Sequence, residues 1–286
     1  MALSGRIVAA VLGVALAAVA APPASAATGP TGDIVYSARS GGQVLALTFD
    51  DGPSPTWTPQ LLDLLREQKV RATFCLLGGQ VKLYPDLVKR IVADGHALCN
   101  HSMYHEDYGA KTPAEVQADL VATNDAIRQA AGNPAVPITY FRAPFASWGA
   151  APQIAAGLGL SSLAWTVDPR DWDGSPSDVL IDRLSAQVYP TAVTLSHDGG
   201  GDRGPTLAAY RELIPRWKAA GWSFDLPAVT GGPYPPACTA AAWGRDTSYV
   251  GGSRVSFGGR VYQANWWTRV EKPSTAPWVW SDLGPC

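Results

Sequence analysis

The stretch Val44–Pro53 reads V-L-A-L-T-F-D-D-G-P and decides how the whole chain is interpreted. Its first six residues are apolar except for one threonine, a pattern typical of a strand that is buried on both faces. Two carboxylates, Asp50 and Asp51, follow at its end, and Gly52-Pro53 breaks the strand. Parallel α/β folds carry their chemistry at the carboxyl ends of strands. Many ordinary strands also end in an Asp-Gly turn, so this stretch alone does not assign the acids a function.

Strand-like and helix-like segments alternate along most of the chain. The strand candidates cover residues 44–50, 72–77, 97–101, 139–143, 161–167, 192–196 and 222–226. The helix candidates cover residues 59–68, 81–94, 113–131, 151–158, 176–188 and 205–220. Repeated strand-then-helix order predicts an α/β fold with a parallel sheet, either open or closed into a barrel. The seven strand candidates are one fewer than in a complete barrel.

The composition fits a folded protein without a nucleic-acid partner. Of the 286 residues, 47% are hydrophobic and 16% are charged, which excludes an extensively disordered chain. The length allows one sizeable domain and a small one. The formal net charge is −2 and no basic tract occurs, so nucleic-acid binding has no electrostatic support.

The N-terminus predicts an export signal. Arg6 precedes a run of small and apolar residues at 7–21, and Ala24-Ser25-Ala26 matches a small-residue cleavage site. The run is short for a membrane span, which favours a removed signal peptide over an anchor. We therefore expect a signal peptide at residues 1–26, a secreted, extracellular protein, and no membrane partner after cleavage.

Export makes disulfides the expected state of the four cysteines, for which three pairings exist. Cys75 and Cys99 lie in successive strand candidates, so neighbouring strands could bring them together. Cys238 and Cys286 bracket the C-terminal tail and could close it. Neither pair has the C-x-x-C spacing of a metal site, which favours structural bridges.

A Gly- and Pro-rich segment at residues 231–236 separates the tail from the rest of the chain. The 50 residues at 237–286 hold five of the eleven tryptophans. A module this small needs a covalent staple, which a Cys238–Cys286 bridge would supply. The predicted organisation is a main domain at 27–230, a linker at 231–236 and a small module at 237–286.

Two of the four histidines stand four residues apart behind the third strand candidate. His101 and His105 belong to H-S-M-Y-H, and on a helix or a tight turn both imidazoles share one face. Such pairs are often merely structural. Because Asp50 and Asp51 also follow a strand, however, all four side chains could meet at one rim. Two histidines and one carboxylate that leave coordination positions open are typical of a catalytic metal site.

Three further strand candidates end in polar side chains at the same predicted rim. Arg142 follows the fourth (T-Y-F-R-A-P-F), Asp168 the fifth (W-T-V-D-P-R-D-W) and His197 the sixth (T-L-S-H-D). The glycines at 199–201 match no phosphate-loop spacing, and no lysine follows them directly. Phosphate binding is therefore not expected there.

Five of these motifs, in this order, resemble a known family. T-F-D-D-G-P, H-S-M-Y-H, R-A-P-F, D-P-R-D-W and L-S-H-D are similar to the motifs of the NodB-type polysaccharide deacetylases, carbohydrate esterase family 4. The resemblance covers residues 44–226 and implies that residues 27–230 are a polysaccharide deacetylase catalytic domain. The fold it implies is a distorted (β/α) barrel with about seven strands.

The resemblance also implies a metal site and a base. Asp51, His101 and His105 would hold a divalent metal ion, Zn²⁺ in most members of the family and Co²⁺ in some. Asp50 would be the general base that accepts a proton from water. Arg142 would pair with Asp50 and keep it ionised.

The remaining roles follow from the later motifs. His197 would be the general acid that protonates the leaving amine, and Asp168 would tune it. The backbone N–H of Phe145 would help to stabilise the oxyanion, at a position where the family often has tyrosine. Trp172 and Leu195 would line the pocket for the acetyl methyl group.

The tail resembles the small, all-β carbohydrate-binding modules of families 5 and 12. Their A-K-W-W-T hallmark stands here as A-N-W-W-T, with Asn265 in place of lysine. Such modules mostly bind chitin, and some bind cellulose, so Trp243, Trp266 and Trp267 are the candidate binding rings. Some of these aromatic residues must instead form the core of a module this small.

These inferences predict a secreted, monomeric, metal-dependent chitin deacetylase acting on N-acetylglucosamine polymers. Acetylxylan esterase and peptidoglycan N-acetylglucosamine deacetylase are the alternatives within the enzymes. A non-catalytic chitin-binding protein is the alternative from another class. An iron oxygenase with a two-histidine, one-carboxylate site leaves Asp50, Arg142 and His197 without a role.

Overall fold

The computed structural model describes residues 1, 31–230, 243–244, 247–257, 260–273, 276 and 278–285. Strands and helices alternate within residues 31–230. The strands are β1 (Ile34–Val35), β2 (Val44–Asp50), β3 (Thr73–Leu76), β4 (Ala97–Asn100), β5 (Ile138–Phe141), β6 (Ser161–Leu163), β7 (Ala192–His197) and β8 (Ser223–Phe224). The helices are α1 (Trp57–Glu67), α2 (Gly78–Leu83), α3 (Pro85–Ala93), α4 (Pro113–Ala131), α5 (Ala151–Gly157), α6 (Ser177–Gln187) and α7 (Gly204–Ala219).

These strands form one parallel sheet that closes on itself. Their order is β1-β6-β5-β4-β3-β2-β7, and β8 pairs with the start of β2. Beyond β6, the Val167 N–H donates to the Val193 carbonyl oxygen at 3.1 Å, and the Leu195 N–H donates to the Val167 carbonyl oxygen at 2.8 Å. These bonds join the two ends of the sheet and confirm the predicted α/β fold, a distorted (β/α) barrel.

β2 lies between β3 and β7, and all seven of its residues are buried. Leu45, Leu47 and Phe49 belong to the large core shared by the sheet and the helices. Val44 and Ala46 point the other way and belong to a smaller cluster of side chains inside the barrel. The prediction of a strand buried on both faces is therefore confirmed.

All seven predicted strand segments overlap strands of the sheet, and β1 is an addition. The single helix predicted at residues 81–94 is wrong, because the chain forms α2 and α3 there. The break falls at Tyr84-Pro85, where proline has no N–H to continue α2 and instead starts α3. The predicted helix at 113–131 is confirmed, and Thr112 caps it by accepting the Glu115 N–H.

One predicted disulfide is present. Cys75 and Cys99 face each other in the register of β3 and β4, with their Cα atoms 4.2 Å apart, and they are bonded. The predicted Cys238–Cys286 bridge, the linker at 231–236 and almost all of the predicted signal peptide lie outside the described residues. Among the described residues, no helix is both long enough and apolar enough to cross a membrane.

The C-terminal module is a small antiparallel sheet, as predicted. Its strands are β9 (Arg254–Phe257), β10 (Arg260–Ala264) and β11 (Trp280–Pro285), with β10 in the middle. Trp280 is 2% exposed and belongs to the core of the module, with Val255, Tyr262, Ala264, Ala276 and Val279. Some of the tail's aromatic residues therefore do build its core.

Replacing Cys75 and Cys99 together with alanine should lower the free energy of unfolding by about 3 kcal/mol, because the bridge closes a loop between residues 24 positions apart. Urea denaturation followed by tryptophan fluorescence measures this loss. Far-UV circular dichroism without urea should match that of the wild type. An unchanged unfolding midpoint would show that the bridge does not stabilise the barrel.

Candidate active site

A cavity of about 550 Å³ opens where the barrel strands end. β2 ends at Asp50, and β7 ends at His197, its direct neighbour in the register. The cavity is lined by nine of the predicted site residues: Asp50, Asp51, His101, His105, Phe145, Asp168, Trp172, Leu195 and His197. Arg142 lies behind this lining and is fully buried. The structure thus brings the predicted residues of the barrel domain together.

The side chains of the two neighbouring acids point in different directions because the backbone conformation changes from Asp50 to Asp51. Asp50 is the last residue of β2, whereas Asp51 has a left-handed φ of 71°. Aspartate tolerates this region better than most residues do. Gly199 packs so closely on Asp51 that an added Cβ would collide with the Asp51 carbonyl oxygen. The strand end and this packing together set the direction of the Asp51 side chain.

Asp51, His101 and His105 form the group that could hold a metal ion. The Nε2 atoms of His101 and His105 each lie 3.6 Å from Asp51 Oδ1. The ligand atoms of the three side chains all lie within 4.8 Å of one another. H-S-M-Y-H forms a tight turn rather than a helix, with positive φ at Ser102 and His105. The turn brings both imidazoles to one side.

Three observations show that this group suits a cation. Asp51 Oδ1 is buried and has no hydrogen-bond partner among the described residues. His101 Nδ1 lies 2.8 Å from the Arg142 carbonyl oxygen, which only accepts, so Nδ1 carries the hydrogen and Nε2 keeps its lone pair for a metal ion. Burial lowers the pKa of His105, which favours the neutral imidazole that a metal ligand requires.

Asp50 is bound to a buried arginine. Arg142 Nη1 donates to Asp50 Oδ1 at 2.7 Å and to Thr48 Oγ1 at 2.8 Å. Its other N–H groups donate to the carbonyl oxygens of Leu163 and Ala164 at 3.1 and 3.2 Å. A guanidinium without exposed surface needs such partners, because a buried charge is costly unless it is paired. The predicted Arg142–Asp50 pair is therefore present.

His197 is hydrogen-bonded to Asp171. Its Nδ1 lies 2.7 Å from Asp171 Oδ1, and its backbone N–H donates to Asp171 Oδ2 at 2.9 Å. The Thr206 hydroxyl also donates to Asp171 Oδ2, at 2.8 Å. Burial lowers the pKa of His197, but the hydrogen bond and charge of Asp171, with the charges of Asp50 and Asp51, raise it by more. The net pKa lies above the ordinary histidine value.

This geometry corrects the prediction that Asp168 is the partner that tunes His197. Asp168 Oδ1 instead accepts the N–H of Arg170 at 2.7 Å, in a turn in which Arg170 has a left-handed φ of 57°. Burial raises the pKa of Asp168. Asp168 interacts with His197 through its charge and not through a hydrogen bond. D-P-R-D-W contains two acids, and the Pro169-Arg170 turn decides which one reaches the histidine.

The predicted acetyl pocket is bordered by residues of different exposure. Leu195 is buried in β7, whereas Trp172 is 53% exposed. Phe145 has a left-handed φ of 57°, and its exposed ring lies 4.4 Å from that of His105. The three residues border the cavity from three segments of chain.

Two polar residues near His197 were not selected from the sequence, Arg203, which lines the cavity, and Asp198, which directly follows the histidine. Asp198 is buried beside His197, its carboxylate accepts the Thr58 hydroxyl, and burial raises its pKa to about 7. Arg203 donates to the carbonyl oxygens of Gly199 and Asp171 at 2.6 and 2.9 Å. It thereby ties the glycine loop to the turn that carries Asp171. Asp198 directly follows L-S-H and Arg203 lies six residues after His197, so closeness to this motif in the sequence was the available signal.

The candidate binding rings of the C-terminal module differ in exposure. Trp266 and Trp267 are 53% and 63% exposed. Trp243 is only partly exposed and packs on the module core, 5.5 Å from the Phe257 ring. Trp278, which was not among the candidate binding rings, is 65% exposed. Of the three candidate binding rings, Trp266 and Trp267 are therefore the exposed ones, and Trp243 contributes to the module core.

Comparisons with known proteins agree with this geometry. The profile described as polysaccharide deacetylase matches residues 37–163, and that of carbohydrate-binding module family 5/12 matches residues 242–279. Chitooligosaccharide deacetylase of Sinorhizobium fredii is 38% identical over 187 residues, which cover 62% of this chain and 86% of that protein. Peptidoglycan-N-acetylglucosamine deacetylase of Bacillus cereus is 32% identical over 198 residues, 68% of this chain and 91% of that protein.

Solved structures share the fold. A family 4 carbohydrate esterase from Streptomyces lividans, in complex with acetate, has a TM-score of 0.60 at 28% identity and covers 67% of this chain and 99% of its own. A pseudoenzyme of the same family from Bacillus anthracis has a TM-score of 0.62 at 26% identity, with 68% and 67% covered. Fold and site together define a deacetylase of carbohydrates. The chain belongs to the polysaccharide deacetylase family, carbohydrate esterase family 4, and ends in a family 5/12 carbohydrate-binding module.

Gly199→Ala should abolish metal binding and acetate release, because its Cβ would displace the Asp51 backbone. Gly201→Ala is the matched control, since its Cβ would meet only the Arg203 guanidinium, 3.5 Å away. Metal content after dialysis and kcat/KM for acetate release measure both effects. A Gly199→Ala protein that binds metal and turns over like the Gly201→Ala protein would contradict this role of the glycine.

Asp171→Asn should move the alkaline limb of the kcat/KM profile to lower pH. The charge of Asp171 raises the pKa of His197, so its removal lowers that pKa, and His197 loses its proton at a lower pH. Asp168→Asn is the control and should move the limb much less. A larger shift for Asp168→Asn than for Asp171→Asn would restore the assignment made from the sequence.

Proposed function

We propose that the protein is a secreted, metal-dependent deacetylase that hydrolyses the N-acetyl groups of chitin or chitooligosaccharides and releases acetate. The observation that carries this choice of substrate is the presence of a deacetylase barrel and a family 5/12 module in one chain. Relatives from Sinorhizobium fredii and Rhizobium leguminosarum, 38% and 39% identical, are chitooligosaccharide deacetylases.

Asp51, His101 and His105 would hold the divalent ion. Two imidazoles and one carboxylate suit Zn²⁺, which is our first choice, and Co²⁺ is the alternative. A bound ion lowers the pKa of water to roughly 7 and polarises the carbonyl oxygen of a substrate. The proton transfers fall to other side chains of the protein.

Asp50 is the base of the proposed reaction. Its Oδ1 accepts from Arg142 Nη1 at 2.7 Å, whereas its Oδ2 lies 3.6 Å from His101 Nε2 and thus borders the metal site. Oδ2 is therefore the oxygen that takes the proton of the attacking water. Arg142 holds the carboxylate in place and balances its charge.

His197 is the proposed acid. Its Nδ1 is bound to Asp171, so Nε2 delivers the proton without which the amine leaves poorly. The Phe145 N–H would donate to the oxyanion of the tetrahedral intermediate. Trp172 and Leu195 would border the acetyl methyl group, and both line the cavity.

The C-terminal module is the proposed polymer-binding unit. Trp266 and Trp267 offer exposed indole faces on which the apolar faces of pyranose rings can stack. Trp278 offers a third exposed face. Trp266 and Trp267 are the two adjacent tryptophans of A-N-W-W-T, the segment that resembles the A-K-W-W-T hallmark of chitin-binding modules.

Secretion is proposed from the sequence of residues 1–26. The bonded pair Cys75–Cys99 supports an oxidising compartment. The net charge of −2 supports an enzyme without a nucleic-acid partner. We further propose that the protein acts as a monomer without a membrane partner.

Peptidoglycan N-acetylglucosamine is the second candidate substrate, and the relative from Bacillus cereus favours it at 32% identity. Acetylated xylan is a third, because the same site could hydrolyse an ester. A non-catalytic chitin-binding protein is the least supported alternative, since the candidate base, acid and metal ligands all line one cavity.

The substrate assignment is tested by acetate release from an N-acetylglucosamine tetramer, acetylated xylan and peptidoglycan. We expect kcat/KM for the tetramer to exceed the other two by about tenfold or more, because the substrate that the site fits gains differential transition-state binding. Protein stripped of metal by a chelator is the control for background hydrolysis. A preference for xylan or peptidoglycan would overturn the chitin assignment.

A further inference from the structure

The C-terminal module touches the barrel domain through a compact contact of three side chains. Tyr189 follows α6, and its ring centroid lies 4.6 Å from that of Phe257 in β9. Lys272 Nζ lies 4.9 Å from the centre of the Tyr189 ring and 5.4 Å from the centre of the Phe257 ring. The ammonium also donates to the carbonyl oxygen of Gln187, the last residue of α6, at 3.1 Å. We call Tyr189, Phe257 and Lys272 the docking contact.

The docking contact joins the two hydrophobic cores. Tyr189 packs against the large core of the barrel domain, and Phe257 packs against the core of the module. Burial raises the pKa of Tyr189 and lowers that of Lys272, so both polar groups have lost water. A cation over two aromatic rings gains most when it is desolvated. The contact is therefore desolvated and packed on both sides, as a domain interface is.

The same contact continues to the wall of the cavity through Gln187. Its side-chain oxygen accepts the Asp168 N–H at 3.2 Å, and its side-chain nitrogen donates to the Asp168 carbonyl oxygen at 3.0 Å. Asp168 and Trp172 line the cavity, and the Arg170 guanidinium lies 5.2 Å from the centre of the Trp172 ring. Lys272, Gln187 and residues 168–172 thus form one unbroken series of contacts.

We propose that the module is docked on the barrel domain through Tyr189, Phe257 and Lys272, and that docking stabilises the cavity wall at residues 168–172. The module is then a fixed extension of the catalytic domain. A module that is only tethered would expose to water the sides of Tyr189, Phe257 and Lys272 that face one another. Residues 168–172 would then be held by contacts of the barrel domain alone, such as that of Arg183 with the Pro169 carbonyl oxygen at 2.9 Å. The proposal concerns the protein itself, so its tests need no substrate and stay valid if the proposed function fails.

Small-angle X-ray scattering of the full chain tests the docking. Lys272→Met removes the ammonium and keeps a side chain of similar length, and Tyr189→Leu removes the ring from the other side of the contact. Each variant should increase the radius of gyration and the maximum dimension, and give the profile of two mobile bodies. Lys89→Met, the same change at an exposed lysine of α3, is the matched control and should scatter like the wild type.

Thermal unfolding verifies that the variants are folded, and since they lie on opposite sides of the contact, local damage to one domain cannot explain both results. A wild-type profile that already shows two mobile bodies would overturn the proposal. Variant profiles equal to that of Lys89→Met would overturn it as well.

Hydrogen–deuterium exchange tests the link to the cavity wall. Lys272→Met should accelerate exchange severalfold in peptides that contain the Asp168 N–H, which the Gln187 side chain protects in the wild type. Peptides from β2, which is buried on both faces, should exchange as in the wild type. Unchanged exchange at residues 168–172 in Lys272→Met would refute the support of the wall by the module.

Discussion

The rest of the site depends on the buried ion pair between Arg142 and Asp50. Arg142 is 0% exposed, so its charge must be balanced inside the protein. Asp50 balances it from the end of β2 at 2.7 Å, and the carbonyl oxygens of Leu163 and Ala164 take further N–H groups at 3.1 and 3.2 Å. One side chain therefore ties the end of β2 to the end of β6 across the barrel, which holds the Asp50 carboxylate at the cavity.

Arg142 also acts through its backbone. Its carbonyl oxygen binds Nδ1 of His101 and leaves Nε2 of that ring directed towards Asp51. The left-handed turn at Asp51 sends the second acid away from the guanidinium and towards the two histidines. Two acids that are neighbours in sequence thus meet different surroundings: Asp50 has a guanidinium on one oxygen and one imidazole near the other, whereas Asp51 has two imidazoles near one oxygen. This difference is the physical basis for assigning them different roles.

The sequence predicted the strands well because strands buried on both faces leave unbroken apolar runs, and it predicted most of the site because each polar residue follows such a run. The prediction from sequence was wrong where local backbone geometry decides the structure. Pro85 divides a segment whose apolar pattern looks like one helix. In the turn at Arg170, Asp168 accepts a backbone N–H, and Asp171 is the acid that is hydrogen-bonded to His197. The spacing of the two acids in the sequence does not predict which of them binds the histidine. Contacts between distant segments, such as that of Lys272 with Gln187, have no local signature.

Asp50 and Asp51 do different work in this account, and metal content measured together with acetate release separates them most directly. Asp50→Asn should keep its metal ion, because Asp51, His101 and His105 are unchanged. Its kcat should fall by roughly 10²- to 10⁴-fold, because the general base is missing. Asp51→Asn should lose the metal ion and the activity together. An Asp50→Asn protein that turns over like the wild type, or an Asp51→Asn protein that keeps its full metal content, would contradict the division of labour between the two acids.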